Sequence, residues 1–501
     1  MHKGFQYGVL VSRISHKGLF FKGKRKGLNR ITVQEQLMKL LRTIFIPDNK
    51  FYKRVLLLAL PISLQSLITI GVNMLDTIMV GTLGEQELSA TSLANQFINI
   101  YHIFCMGLGM GASVLVSRYW GMKETEPEKS ALALKKTICL MIRLTVGLAL
   151  LFAVATLTIP SVIMRMYTTD TTIISMGAVY FRYSVITYFF LGLSLVCTIA
   201  LRSVGQVKMP LYVSIGAFFV NLGANYAFIF GKFGMPRMEI AGAAIGTLIA
   251  RLFEAGMICG YLFFRDQKIH FRLGDLFIQT KDLLGEYIRI SIPVLISDGI
   301  LAIGNNTAAM VIGRLGVAFV AANAITSVTQ QMSNVLTQGV SQSGAIVTGQ
   351  TLGEGNREKA QQQGYAFLGL GICLGLFAGS VILLISRPII GAYNVSAETA
   401  VIAQQLMNAI SFIMIFQSAN SIMTKGVLRG GGDTKMLMLA DNIFLWVLSI
   451  PLGLLAGFVF HVPAFWIYTA LKFDQIAKAV WCVFRLRGGK WIKKITTGNV
   501  K

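Results

Sequence analysis

Residues 60–84 read LPISLQSLITIGVNMLDTIMVGTLG, an apolar run of membrane-spanning length broken by one acid, Asp76. A hydrocarbon layer is roughly 30 Å thick and about 20 helical residues cross it. An ionised carboxylate inside it costs roughly 2.5–3.5 kcal/mol on insertion scales, so Asp76 is expected to face protein or water. Gln65, Thr69, Asn73 and Asp76 share one helix face, while Leu67, Ile68, Ile70, Leu75 and Ile78 cover the rest. That helix has one polar side. An amide would be cheaper interhelical glue than an acid, so the reading of Asp76 is functional.

The stretch recurs further along the chain. A displacement of 232 positions sets Pro61 on Pro293, Asn73 on Asn305, VGTLG (80–84) on IGRLG (312–316), Gly107 on Gly339 and Gly121 on Gly353. A second echo, displaced by 227, pairs LRSVGQVK (201–208) with LRGGGDTK (428–435). Hydropathy predicts about twelve spans, near 55–80, 93–117, 137–160, 174–200, 210–231, 240–264, 289–313, 323–348, 364–386, 400–427, 436–459 and 462–484. The longest internal polar segment, 265–285, divides them into six and six. The expected fold is an all-α polytopic membrane protein, with about twelve transmembrane helices in two pseudo-symmetric six-helix lobes around a central cavity. Its parts are a basic cytoplasmic tail (1–54), an N-lobe (55–264), a cytoplasmic linker (265–288), a C-lobe (289–484) and a second basic tail (485–501). Pro61 and Pro293 are expected to bend the first helix of each lobe. Parallel repeats of this kind host a substrate at their interface in many secondary transporters.

Composition agrees with a membrane protein. The 501 residues are 54% hydrophobic and 14% charged, with mean hydropathy +0.63. The net charge of +24 would suggest nucleic acid on a soluble chain, but its placement says otherwise. Lys and Arg crowd the first 54 residues and the segments KETEPEKSALALKK, FRDQKIHFRLGDLFIQTK, GEGNREK and RLRGGKWIKK. The alternate loops GTLGEQELSA, GKFGMPRMEIAG, PIIGAYNVSAE and HVPAF are poor in them. The positive-inside rule therefore puts both termini in the cytoplasm and the protein, multi-pass, in the cell membrane. No apolar core follows the basic N-terminal run before Val55, so it is not a cleavable signal, and Met38 offers an alternative start.

Other chemistries are excluded in turn. The six Cys are scattered without metal-ligand spacing and read as buried, reduced thiols, so neither a disulfide frame nor a metal site is expected. The five His are dispersed and no acid pairs cluster on one span, which argues against an enzyme. LRGGGDTK lacks the Gly-Lys-Ser/Thr ending of a phosphate loop, so ATP is not the expected energy source, and GLGMG at Gly107 follows no strand.

Further polar faces appear on other spans. Ser214, Asn221 and Asn225 line one side of the fifth, and Gln331, Asn334, Gln338 and Ser341 one side of the eighth. Such amides either glue helices together or line a cavity, in which a lone carboxylate could take up H⁺ or Na⁺. Cavity candidates are Gln65, Thr69, Asn73, Asn305, Gln331, Asn334 and Gln338. Arg251 and Glu254, three apart on the sixth span, are expected to neutralise each other. Asp298 shares a face with Asn305 and, with Glu254, is a second candidate for coupling. Asp441 and Asp474 cap helices or pair with Lys435 or Lys478.

These residues carry a family resemblance over about 48–497. The chain resembles a multidrug and toxic compound extrusion (MATE) transporter in its opening helix, with its Pro, downstream Asp and closing xxGxLG, and in LRGGGDTK, GQTLGEGN (349–356), IFGKFGMP and GAAIGT (242–247). The resemblance implies two six-helix lobes in a V, exporting substrates in exchange for H⁺ or Na⁺. In the DinF-type branch the cation site lies in the first lobe, and by motif it falls on Asp76, Asn221, Asn225 and Thr247. That branch usually has Asp where Asn225 stands. One carboxylate instead of two favours H⁺, with Na⁺ the alternative. The NorM-type branch places acids in the second lobe, where Leu301 and Ser418 fall near the corresponding positions.

The expected function is thus a secondary antiporter exporting drugs or organic metabolites, often cationic and amphipathic, by alternating access. The alternative is a flippase of lipid-linked precursors, which would line its cavity with Arg or Lys; the intramembrane bases noted here, Arg143, Arg182 and Arg251, are isolated. Expected partners are a small-molecule substrate and membrane lipids, without nucleic acid, cofactor or second subunit.

Overall fold

A computed structural model describes residues 48–393 and 395–493, and among them all regular structure is helical. The basic run before residue 48, with Met38, lies outside the described residues, as do 494–501. The spans are α1 (Asn49–Gly81), α2 (Glu85–Gly121), α3 (Pro127–Thr158), a broken α4 (Thr171–Ser184 and Thr187–Ser203, bent by 57°), α5 (Lys208–Phe230) and α6 (Glu239–Gly260). After the linker come α7 (Lys281–Gly313), α8 (Val317–Gly353), α9 (Arg357–Ala392), α10 (Ala397–Ser421), α11 (Thr434–Ile443, resumed at Ile450–Leu454) and α12 (Ala464–Leu471 and Phe473–Arg487). Wider π turns extend α6 through Tyr261–Arg265, α10 through Ile422–Leu428 and α11 through Phe444–Ser449 and Leu455–Val459. Nine of the described helices are long and apolar enough to cross a membrane, and the two parts of α4 make a tenth span. Polar α8 and broken α12 complete the alternation.

Local chemistry explains several boundaries. The Asp48 carboxylate accepts the Lys50 backbone N–H at 2.9 Å and starts α1, satisfying a donor that a helix start leaves open. In the duplicated VGTLG and IGRLG turns, Gly84 (φ +156°) and Gly316 (φ +114°) occupy backbone conformations that a side chain would strain. The LRSVGQVK and LRGGGDTK motifs end α4 and α10 in the same way, with Gly205 and Gly432 at φ +78° and +85°. Gln206 and Asp433 then occupy equivalent positions. Gln206 donates to Asp266 beyond α6 at 2.5 Å, and Asp433 accepts two bonds from Arg485 near the end of α12 at 2.7 and 3.0 Å.

The helices reach further than hydropathy shows at the end where the described chain begins and finishes, because charged turns outside the apolar window continue the helix. α7 starts at Lys281 inside the expected linker, and α12 runs to Arg487. The linker is itself packed: Ile269 and Phe271 are buried, and Lys135 meets Asp275 at 2.9 Å. The expected basic tail is also folded in part. Trp491 is fully buried, its indole N–H donating to Gln361 at 2.8 Å. Of the cysteines expected to be buried, Cys373 is exposed and Cys259 half-buried.

The two lobes meet through close approaches that repeat the sequence offset. A Cβ on Gly107 would lie 2.9 Å from Leu295 Cα, and one on Gly339 would lie 3.2 Å from Ser63 Cβ; Leu295 and Ser63 are themselves 232 positions apart. Gly121 against Gln350 and Gly353 against Arg118 form a second pair of mates. From those positions Gln350 donates to Ser203 O at 2.9 Å and Arg118 to Lys493 O at 2.6 Å, each reaching into the opposite lobe. Small residues let the helix backbones touch, the usual basis of close packing in membranes. All these contacts lie toward the end where α1 begins. On the same helices Ala59, Ile62, Ile290 and Val294 are buried at that end. The lobes are sealed at the first end.

Candidate functional site

Within the N-lobe, α1, α5 and α6 enclose a cavity of ≈ 50 Å³ lined by Thr69, Asp76, Ser214, Asn221, Thr247, Arg251 and Glu254 among others. A water needs roughly 10–15 Å³ of such space, so a few fit. The i, i+4 spacing of Asn221 and Asn225 puts both amides on the face of α5 that meets α1. Asn225 Nδ2 donates to Asp76 Oδ1 at 2.6 Å and to Asn221 Oδ1 at 3.4 Å. Asn225 Oδ1 is buried without a hydrogen-bond partner and lies against Gly246, where any side chain would displace it. Arg251 and Glu254 close on each other at 2.6 Å in the same wall. The four residues placed by family motif, Asp76, Asn221, Asn225 and Thr247, are therefore neighbours. Glu254 joins them and Asp298 does not.

Asp298 sits instead in a second cavity, between the lobes, of ≈ 370 Å³. Its walls come from α2 (His102, Ile103, Met106, Met110), α7 (Asp298, Leu301, Ala302, Asn305), α8 (Gln338, Ser341, Gln342) and α10 with its π turn (Ser421, Lys425, Arg429). Arg429 Nη2 meets Asp298 Oδ1 at 3.4 Å. Arg202 Nη1 donates to Gln342 at 2.8 Å from behind the wall, and its Nη2 donates to Gln65.

The cavity candidates thus part company. Asn305 and Gln338 line the inter-lobe space, and Thr69 lines the N-lobe cavity. Gln65 is buried and bonded, donating to Ser214 Oγ at 2.7 Å and to Pro210 O at 3.3 Å. Asn334 accepts from Gln417 at 3.1 Å in the C-lobe interior, and Asn73 and Gln331 are exposed. Pro61 and Pro293 lie inside α1 and α7.

Sequence reading missed His102, Arg202, Lys425 and Arg429. It counted only isolated intramembrane bases, and the inter-lobe cavity corrects that count. The signal was present: Arg202 and Arg429 are the same residue of the duplicated LR motif, each reaching the first helix of its own lobe. Asp441 and Asp474 both pair with Lys478, at 3.3 and 2.9 Å, and neither is paired with exposed Lys435.

Duplicated six-helix lobes that are sealed at one end and enclose a cavity define a polytopic helical membrane protein built around an inter-lobe chamber. The chain belongs to the MatE family, whose model matches residues 61–227 and 293–455, the two repeats in register. It is similar to a probable multidrug resistance protein NorM of Thermotoga maritima, 24% identical over 457 residues, covering 90% of this chain and 95% of that one. It is also similar to the multidrug resistance protein NorM of Burkholderia vietnamiensis, at 25% identity over 79% and 85% of the two chains. Among solved structures, an outward-facing multidrug resistance MATE family transporter superposes with TM-score 0.77 at 17% identity, over 90% of this chain and 98% of that one. A MOP superfamily transporter from Pyrococcus furiosus superposes with TM-score 0.77 at 18% identity, over 90% and 99%.

Proposed function

We propose that this chain is a secondary antiporter that exports amphipathic organic molecules in exchange for H⁺, by alternating access of the inter-lobe cavity. The observation that carries the reading is the contact of Asp76 with Asn225 beside a cavity with room for water. A carboxylate only accepts hydrogen bonds, whereas its protonated form also donates. An amide offers both an NH₂ group and a carbonyl, so Asn225 can serve the ionised acid as it lies and the neutral acid after turning over. Its unpartnered Oδ1 is the acceptor that the neutral state would use. Two acids at this site would suit Na⁺ better, and Asn225 removes the second. Placement of the acid, together with these amides, supports the DinF-type arrangement, although the relatives reported above carry NorM names.

The charge pattern supports a cell-membrane orientation with the sealed end and both termini in the cytoplasm, so the described state faces outward. A cysteine placed in GTLGEQELSA should then react with an impermeant thiol reagent on intact cells, and one in the 265–280 linker should not. The relatives' multidrug names support drug-like cargo. A flippase of lipid-linked precursors is favoured by one observation, the bases Lys425 and Arg429 in the cavity wall with Arg202 behind it.

The test uses proteoliposomes with pH and Na⁺ gradients imposed separately. Efflux should follow the pH gradient alone and fall to the background of empty vesicles in Asp76→Asn. Efflux driven by Na⁺ at fixed pH would overturn the proton reading, and in that case Asn225→Asp should strengthen the Na⁺ dependence.

A further inference from the structure

The inter-lobe cavity has an unbalanced charge. Ile103, Met106, Met110 and Leu301 give it apolar walls, and Lys425 is exposed on its α10 side. Among the described residues no carboxylate lies within salt-bridge reach of Lys425. The one acid in the lining, Asp298, is engaged by Arg429, whose Nε is buried without a hydrogen-bond partner. Arg202 adds a third cation one side chain behind the wall, through Gln342. Lys425 and Arg429 thus face a single carboxylate in the lining, with Arg202 behind the wall, in a chamber whose low-dielectric walls focus their field.

Among the described residues Lys425 makes no hydrogen bond or ion pair, so packing gives no structural reason for an ammonium facing this apolar-walled cavity. A cationic cargo would meet like charge there, which disfavours it. The volume of ≈ 370 Å³ falls in the range of drug-sized pockets, about 300–1,000 Å³. We infer that the cavity selects an amphipathic cargo bearing one anionic group, a carboxylate, sulfonate or phosphate, with Lys425 as its counter-ion and the Met and Leu wall holding its apolar body. The inference rests on the transport reading and names the substrate class of its central cavity. It replaces the cationic cargo expected from family resemblance.

Three probes sharing one fluorophore test it with the full chain in nanodiscs: dansylglycine (anion), dansylamide (neutral) and dansylcadaverine (cation). Dansylglycine should bind at least tenfold more tightly than dansylcadaverine. Lys425→Gln should weaken dansylglycine at least tenfold while leaving the melting temperature and dansylamide affinity in place, and Lys425→Arg should retain the preference. Equal or tighter binding of dansylcadaverine, or an unchanged preference in Lys425→Gln, would overturn the inference. Displacement of dansylglycine by dioctanoyl phosphatidic acid, and not by dioctanoyl phosphatidylcholine, would extend the class to lipid phosphates; without displacement, the class is confined to water-borne anions. Proteoliposomes separate the two readings. If dansylcadaverine moves under a pH gradient and dansylglycine does not, the antiporter stands and the anion site falls. If dansylglycine binds as expected but moves under neither ion gradient, the anion site stands and the antiporter falls.

Discussion

The N-lobe and the C-lobe use one frame to hold acids in opposite ways. Gln65 on α1 donates to Ser214 on α5 at 2.7 Å, and at the equivalent positions Ser297 on α7 donates to Asp441 on α11 at 3.0 Å. The acid of the N-lobe, Asp76, stands where the C-lobe has Ala308, and the acid of the C-lobe, Asp441, stands where the N-lobe has Ser214. Asp76 borders a void and leans on a neutral amide. Asp441 and Asp474 are buried against Lys478, and Ser449 and Gln475 complete the shell of Asp474 at 3.2 and 2.6 Å. Duplication supplied the scaffold, and the ionisable groups differ between its halves. An acid with room beside it can change its charge. One held by a lysine and filled out with donors joins helices.

The sharpest way to break that contrast is to neutralise one acid in each lobe. Asp76→Asn should abolish proton-driven efflux, while Asp441→Asn, with Lys478 still paired to Asp474, should leave the number of protons exchanged per substrate unchanged. Vesicle flux with a pH-sensitive dye measures both. A changed proton stoichiometry in Asp441→Asn would mean that the C-lobe cluster also titrates.

The next effect is on stability. Lys478→Met leaves two carboxylates buried without their cation, and breaking such a pair costs about 3–5 kcal/mol. The protein should melt far below wild type in detergent. Adding Asp441→Asn and Asp474→Asn should recover most of the loss, because the uncompensated charge is gone. If the triple variant melts no higher than Lys478→Met alone, the cluster is not the cross-link of α7, α11 and α12 described above.

Much of this was legible before any coordinates. Offsets of 232 and 227 carried the lobe symmetry, because the positions that repeat are those that backbone geometry restricts: Gly84 and Gly316 in turns, Gly107 and Gly339 at the seal. Asp76 was legible because a lone acid in an apolar run demands a reason. The inter-lobe cations were not, since Lys425 lies in an unrepeated stretch, and the duplicated Arg202 and Arg429 read as loop residues when α4 and α10 in fact carry them into the protein. Gln65 and Asn334 show the opposite limit. An amide on a polar helix face has the same sequence signature whether it lines a cavity or bonds a neighbour, and only the partner's position decides.

The symmetry of the seal can be tested more finely. Gly107→Leu and Gly339→Leu each force a side chain into the opposite lobe's first helix, where overpacking costs about 1–3 kcal/mol. The two should lower the melting temperature by similar amounts and favour opening of the sealed end, read as labelling by a thiol reagent of a cysteine at Ser291, which is buried on α7 against Gly111 of α2. Strongly unequal effects would show that the lobes do not close as mates.

The smallest effect separates the lobes at one matched bond. Ser214→Ala removes a neutral acceptor from Gln65, and interhelical bonds of this kind average about 0.6 kcal/mol in membranes. Ser297→Ala removes a donor from the Asp441 carboxylate, and a bond to a charged group contributes about 1.5–3 kcal/mol. Ser297 is buried, whereas Ser214 borders the N-lobe cavity, so water can replace the lost N-lobe partner more readily than the lost C-lobe one. The C-lobe substitution should therefore lower the melting temperature more than its N-lobe mate, and the difference should shrink in an Asp441→Asn background, where the acceptor is neutral. Equal losses in the wild-type background would mean that Asp441 draws its stabilisation from Lys478 alone, leaving Ser297 as packing.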